Sequence, residues 1–192
     1  MKEHINKVCQ MAYCEVRRIS SIRQYLTEDA AKTLIVSLVQ SRLDCGNCFL
    51  AGVPECLLHK LQTIQNASTR LILKSSRQEH TKPLLKALHW LPISDRITYK
   101  LSCMCYNSVT ASTPQYLADL LQIDTPSRTL WSTADTRTLK IPLFKDKYSG
   151  QRSFSYQGPV TWNNLPFSTR HTQTYSSFKS QLKTHLFSQT FQ

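Results

Sequence analysis

Cys45 and Cys48 stand three apart within SRLDCGNCFLAG, residues 41–52. Two thiolates at that spacing on a tight turn can face one tetrahedral zinc ion, but a closed structural site takes four ligands, so the other two must come from elsewhere. The remaining cysteines, Cys9, Cys14, Cys56, Cys103 and Cys105, form no second C-x-x-C and no Cys/His pair at knuckle spacing. A site built from Cys45, Cys48, Cys56 and His59 would need ligands that cross from a loop into a helix. Cys103 and Cys105, two apart on a helix, point to roughly opposite faces and cannot chelate together. A redox pair fits no better, because thioredoxin-type dithiols depend on a βαβ setting that lowers a thiol pKa at a helix start, and the flanking pattern here is helical. No metal and no other cofactor is expected.

Other catalytic chemistry finds no more support. A nucleophile needs a histidine and an orienting carboxylate, and the six histidines and twelve acids are scattered without indicating such a group. No G-x-S-x-G occurs, and with four glycines there is no phosphate-cradling loop. Two-metal phosphoryl or nucleotidyl transfer needs clustered carboxylates, yet the adjacent acids Glu28 and Asp29 are explained by a helix start. The chain reads as no enzyme. What it does carry is cations: 24 Lys and Arg against 12 Asp and Glu, a net +12. Such an excess favours an anionic partner, nucleic acid before membrane surface, with plain solubility as the competing explanation. Arg70, Lys74 and Arg77 fall at i, i+4 and i+7 on one helical face, and no acid lies between Glu55 and Glu79. Lys60, Arg96, Lys100, Lys179 and Lys183 join them by charge and helical phase as candidate phosphate contacts. Trp90 and Trp162 could stack on bases, but beside their prolines they read first as core anchors.

Helices must position these side chains. Ile5, Val8, Ala12, Val16, Ile19 and Ile22 recur at spacings of three and four, with Arg17, Arg18 and Arg23 off that line. Thr27 is the expected N-cap of a second helix with Leu34, Ile35, Leu38 and Val39 as its buried stripe. A third begins at Pro54, with Leu57, Leu58, Leu61, Ile64, Leu71 and Ile72 on one side and His59, Asn66, Arg70, Lys74 and Arg77 on the other. Shorter helices follow in TKPLLKALHW, from an N-cap at Ser94 with Ile97, Leu101, Met104 and Cys105 on one face, and in PQYLADLL after Thr113. From about Asp124 the texture turns to Ser, Thr, Pro and Gly, with TLKIPL and RSFSY alternating like strands and a hairpin turn expected in KDKYSGQ. One last amphipathic helix places Phe178, Leu182 and Leu186 inward and Lys179 and Lys183 outward. The expected fold is mainly α, with residues 1–123 helical and 124–192 a loop-rich segment carrying a small β-hairpin and a C-terminal amphipathic helix. Its 192 residues and 41% hydrophobic content suffice for a real core. No signal peptide and no membrane span is read, and seven cysteines without an export signal predict reduced thiols in an intracellular protein.

At LHWLPISDRITYKL, and in PSR, GQRSFSY, WNNLP and FKSQLKTHLF after it, the chain resembles the carboxy-terminal part of reverse transcriptases encoded by jockey-type LINE (non-LTR) retrotransposons. The similarity is collinear over nearly the whole length and includes AAKTLIVSLVQSRLD, AGVPECLLHKLQTIQNASTRLI and TPQYLADLL. Where that family usually has Leu-Asp-Tyr-Cys-Asn, this chain has Leu43, Asp44, Cys45, Gly46 and Asn47, so its C-x-x-C looks like a product of substitution. The resemblance implies a piece of a larger enzyme: the post-palm, thumb-like region, without the endonuclease and without the polymerase palm aspartates. It implies a grip on the phosphate backbone of RNA or an RNA/DNA hybrid, with the missing polymerase and endonuclease parts as further partners in trans, in the nucleus or a cytoplasmic ribonucleoprotein. The alternatives are a helical protein-interaction module and a decayed reading frame without function of its own.

Overall fold

A computed structural model of the chain describes residues 1–124, 137–144 and 150–192. The described residues are mainly helical, as the apolar periodicity required. They divide into two compact units, Met1–Arg96 with Thr190–Gln192, and Ile97–Gln189. The change of sequence texture near Asp124 does not coincide with this division. Residues 97–110 carry Leu101, Cys103, Cys105 and Tyr106 into the core of the second unit, because a helix belongs where its buried side chains pack, not where its composition matches its neighbours.

The first unit is built on α1 (Lys2–Ile22) and α4 (Glu55–Leu73). The predicted stripe of α1 is buried at Ile5, Ala12, Val16 and Ile19, while Ile22 at the helix end is exposed. Thr27 caps α2 (Glu28–Ile35), its Oγ1 accepting from the amide of Ala30 at 3.2 Å. A π-helical turn, Val36–Gln40, then leads into α3 (Ser41–Asp44). That turn moves the expected stripe. The buried apolar positions are Ala31, Ile35, Val39 and Leu43, a strict repeat of four, with Gln40 buried beside Val39, while Leu34 is half-buried and Leu38 is left outside. Pro54 is the residue before α4 rather than its first, and the helix ends at Leu73 because Lys74 turns into the left-handed region at φ 51°. Gln65, Ser68 and Thr69 are buried in α4 although polar, and each is satisfied. Ser68 and Thr69 donate back to the carbonyls of Ile64 and Gln65 at 2.8 Å, and Gln65 Nε2 donates to the carbonyl of Leu91 at 2.9 Å. α5 (Thr81–Ala87) follows, and Gln62 Oε1 accepts from the amide of Ile93, where α6 (Ile93–Thr110) begins. The cap of α6 is therefore a glutamine on another helix. Ser94, expected in that role, lies inside the first turn with its hydroxyl on Asp95.

The second unit holds the rest of α6, a short α7 (Gln115–Ala118), α8 (Phe154–Asn163), α9 (Phe167–Arg170) and α10 (Tyr175–Phe191) up to Gln189. Phe178, Leu182 and Leu186 of α10 are buried and Lys179 and Lys183 exposed, as their spacing predicted. Trp162 is fully buried, donates Nε1–H to the carbonyl of Arg137 at 2.6 Å and packs near Tyr106 and Phe178. The expected hairpin is corrected in part. Among the described residues the β pairing is one antiparallel bridge, Ile123 with Leu139, and most of the expected turn, residues 145–149, lies outside them. RSFSY does not form a strand, since Ser153 sits in extended conformation before α8 and Phe154 opens the helix. The Ser, Thr, Pro and Gly texture concealed α8, which carries Pro159 in its interior. Gly158 is needed for packing: a Cβ there would stand 3.1 Å from Cys105 Sγ.

Candidate nucleic-acid interface

α1 and α4 run side by side in the same sense. Lys60 Nζ donates to Asn6 Oδ1 at 2.9 Å near their starts, and Arg23 reaches the end of α4 beyond the other end of α1. Between the second halves of the two helices lies a groove of about 830 Å³. Tyr13, Val16, Ser20 and Arg23 line it from the α1 side at spacings of three, four and three. Thr63, Ala67, Arg70 and Leu71 line it from α4, and Lys74, Ser75 and Arg77 from the turn beyond. Each wall is thus one helical face, and alanine at position 67 leaves room between them.

The structure brings Arg70, Lys74 and Arg77 together, but by a different route from the expected one. They do not form a continuous helical row, because α4 stops at Leu73 and the chain turns at Lys74. The turn folds the later cations back over the helix end, so all three face one concavity. Arg70 Nη2 donates to the carbonyl of Glu79 at 3.0 Å, and its buried Nε–H has no partner among the described residues. Lys74 and Arg77 are exposed. No carboxylate lines the groove among the described residues.

Arg23 is the member that sequence reasoning missed. It was read as a charge lying off the apolar stripe, whereas it is 7% exposed and donates to three carbonyls. Its Nε bonds Leu71 O at 2.8 Å, Nη1 bonds Leu26 O at 2.7 Å and Nη2 bonds Ile72 O at 2.6 Å. A helix leaves its last carbonyls without intrahelical donors, and their partial negative charge would repel an anion. The Arg23 guanidinium satisfies two of those carbonyls and reverses the sign of the field at that end. The signal that could have exposed it is only the arginine itself at the end of a helix, and its target lies 48 and 49 residues further on.

The other candidates lie elsewhere. Lys60 is at the far end of the α1/α4 seam, on Asn6. Arg96 is committed to Asp44 in a bidentate pair, Nε to Oδ1 at 2.8 Å and Nη2 to Oδ2. In the second unit Lys100 and Lys179 act on Cys103, whose thiol burial raises above its ordinary pKa; hydrogen bonds with Tyr175 and Tyr99, and then the two lysine charges, offset this only in part. The Lys179 ammonium stands 4.7 Å over the ring of Tyr175, and Lys183 is exposed one turn further along α10. Trp90 and Trp162 are 8% and 0% exposed and are core anchors, without a free face for a base. Cys45 is exposed and Cys48 half-buried, both thiols are free, and among the described residues no three His, Cys, Asp or Glu side chains gather where a metal ion could sit. No described helix is long and apolar enough to cross a membrane.

Comparison with known proteins returns nothing to set beside this geometry: no family model matches the chain, and neither the curated proteins nor the solved structures contain a significant match.

Proposed function

We propose that the chain is a non-catalytic, post-palm and thumb-like carboxy-terminal fragment of a LINE-type reverse transcriptase that grips the phosphate backbone of RNA or an RNA/DNA hybrid. The reading draws on the ordered run of sequence blocks from LHWLPISDRITYKL to FKSQLKTHLF and on the net charge of +12. The observation that carries the binding function is the convergence of Arg70, Lys74 and Arg77 on one groove without a carboxylate among its described lining residues. Unpaired cations held on a concave surface release counterions when phosphates replace them, which gives affinity that is tolerant of sequence and sensitive to salt.

Replacing Arg70, Lys74 and Arg77 together by glutamate tests it. Binding of a short RNA, followed by fluorescence anisotropy, is expected to weaken by at least about 100-fold at low salt, with a flatter dependence on salt than the parent, whose slope is roughly −0.7 per phosphate neutralised on a single strand. Parent binding that does not change between 50 and 300 mM salt contradicts the reading. Primer extension by the pure chain with template and magnesium is expected to be absent, and its presence would overturn the non-catalytic assignment.

A second reading, a helical protein-interaction module, draws on a different observation. In the second unit Leu120, Leu143 and Phe144 border a concavity of about 320 Å³, and Leu143 is fully exposed. Loss of RNA binding by the triple glutamate variant with its fold intact supports the first reading, whereas loss of a protein partner alone supports this one.

A further inference from the structure

The groove between α1 and α4 is not uniform along its length. Its far end, at and beyond the last turn of α4, carries the cations. Nearer the middle of the helices it is lined by the half-buried ring of Tyr13, with Val16, Ala67 and Leu71 between. From Tyr13 to Arg23 is ten residues of helix, roughly 15 Å of groove. A double-stranded ligand presents phosphates on a rounded outer surface and keeps its bases inside, so it would meet the cationic rim and leave the ring and the apolar floor unused. An unpaired strand can do both: a phosphate lies against Arg70, Lys74 and Arg77 while a base further along the same strand enters between the helices onto Tyr13. The volume of about 830 Å³ falls in the range of sites that enclose small organic ligands, about 300–1,000 Å³, so a base with its sugar fits. Arg23 makes this possible without touching the ligand, because it removes the negative end of the α4 dipole from beneath the phosphate.

On the reading that this groove binds nucleic acid, we infer that its ligand is single-stranded, with one unpaired nucleotide seated in the groove and its base stacked on Tyr13. The selection is for strandedness and not for sequence, because every base offers a π face.

The test compares three probes of equal length on the full chain: an oligouridylate, the same ribose-phosphate oligomer without bases, and a blunt RNA duplex. The oligouridylate is expected to bind most tightly. Tyr13→Ala is expected to weaken it by on the order of ten-fold, the loss typical of removing one stacking partner, while leaving the abasic probe unchanged. Tyr13→Phe, which keeps the ring and the packing, is expected to restore oligouridylate binding. Equal affinity for the three probes, or an equal loss on all of them with Tyr13→Ala, overturns the inference and leaves the backbone-binding reading standing. No binding of any probe at low salt overturns both.

Discussion

Arg23 shows how one residue decides what a charged surface can do. Its guanidinium donates to the carbonyls of Leu71, Ile72 and Leu26, so it is a side-chain cap for α4 supplied by the end of α1. Truncation strands those carbonyls in a site from which water is mostly excluded. Arg23→Ala is expected to lower unfolding free energy by about 2–4 kcal/mol, measured by urea denaturation, and Arg23→Lys to recover less than half, because a single ammonium cannot reproduce a three-way fork. A loss below about 0.5 kcal/mol would mean that the carbonyls find other donors. Little of this was legible beforehand. Helical phase places Arg23 off the apolar stripe, which is true of its Cα, but a long side chain can leave its own face. Its partners become neighbours only after α1 and α4 pack. Arg96 is a similar case: its pairing with Asp44, far away in sequence, takes it out of the set of free cations. Cations chosen by phase and charge alone include those already bound to something else.

At the level of elements, apolar periodicity located the long helices well, and α10 matches its expected stripe at Phe178, Leu182 and Leu186. Helix ends were read less well, for a physical reason. α4 stops at Lys74 without a glycine to announce it, and α8 starts at Phe154 in a segment whose alternation suggested a strand. The stop has a tertiary partner, Arg23 on the carbonyls of Leu71 and Ile72, and the start falls where Ser153 leaves the extended conformation. α6 carries a consequence for pH. Burial pushes the Cys105 thiol up to about 12 and raises Cys103 and Tyr99, the latter to about 12. A thiol free in the unfolded chain ionises near its ordinary value of 9.0, whereas in the fold it stays protonated. Above that value the unfolded state binds fewer protons than the native state, so stability is full below about pH 9 and falls as pH rises toward 12. Thermal or urea unfolding between pH 7 and 11 is expected to show a flat region followed by this decline. Cys105→Ala, whatever its effect on stability at pH 7, is expected to make the alkaline limb shallower, and an unchanged limb would assign the decline to other groups.

For the molecule as a whole, the charge of +12 was legible at once, yet its placement was not. The acids cease after Asp146 and the candidate cations fall in both units, but among the described residues the groove collects Arg70, Lys74, Arg77 and Arg23. The first three were found because neighbours in sequence remain neighbours across a tight turn. The opposing wall from α1, with Tyr13, could not be found, because which helix lies beside α4 depends on packing that no local pattern encodes. The turn at Val36–Gln40 leads to a different conclusion, about chain length. A regular α-helix rotates a repeat-of-four stripe by roughly 40° at each step, and Ala31, Ile35, Val39 and Leu43 stay aligned only because a wider turn takes up the drift. Remove one exposed residue there, such as Ser37, and the same side chains fall at steps of four, three and four, the rhythm of an ordinary helix. One residue of the turn is then surplus to the alignment of that stripe. A chain lacking Ser37 is expected to keep its helical circular dichroism and a melting midpoint within about 5 °C of the parent; a collapse of either would show that the extra residue is a required part of the helix.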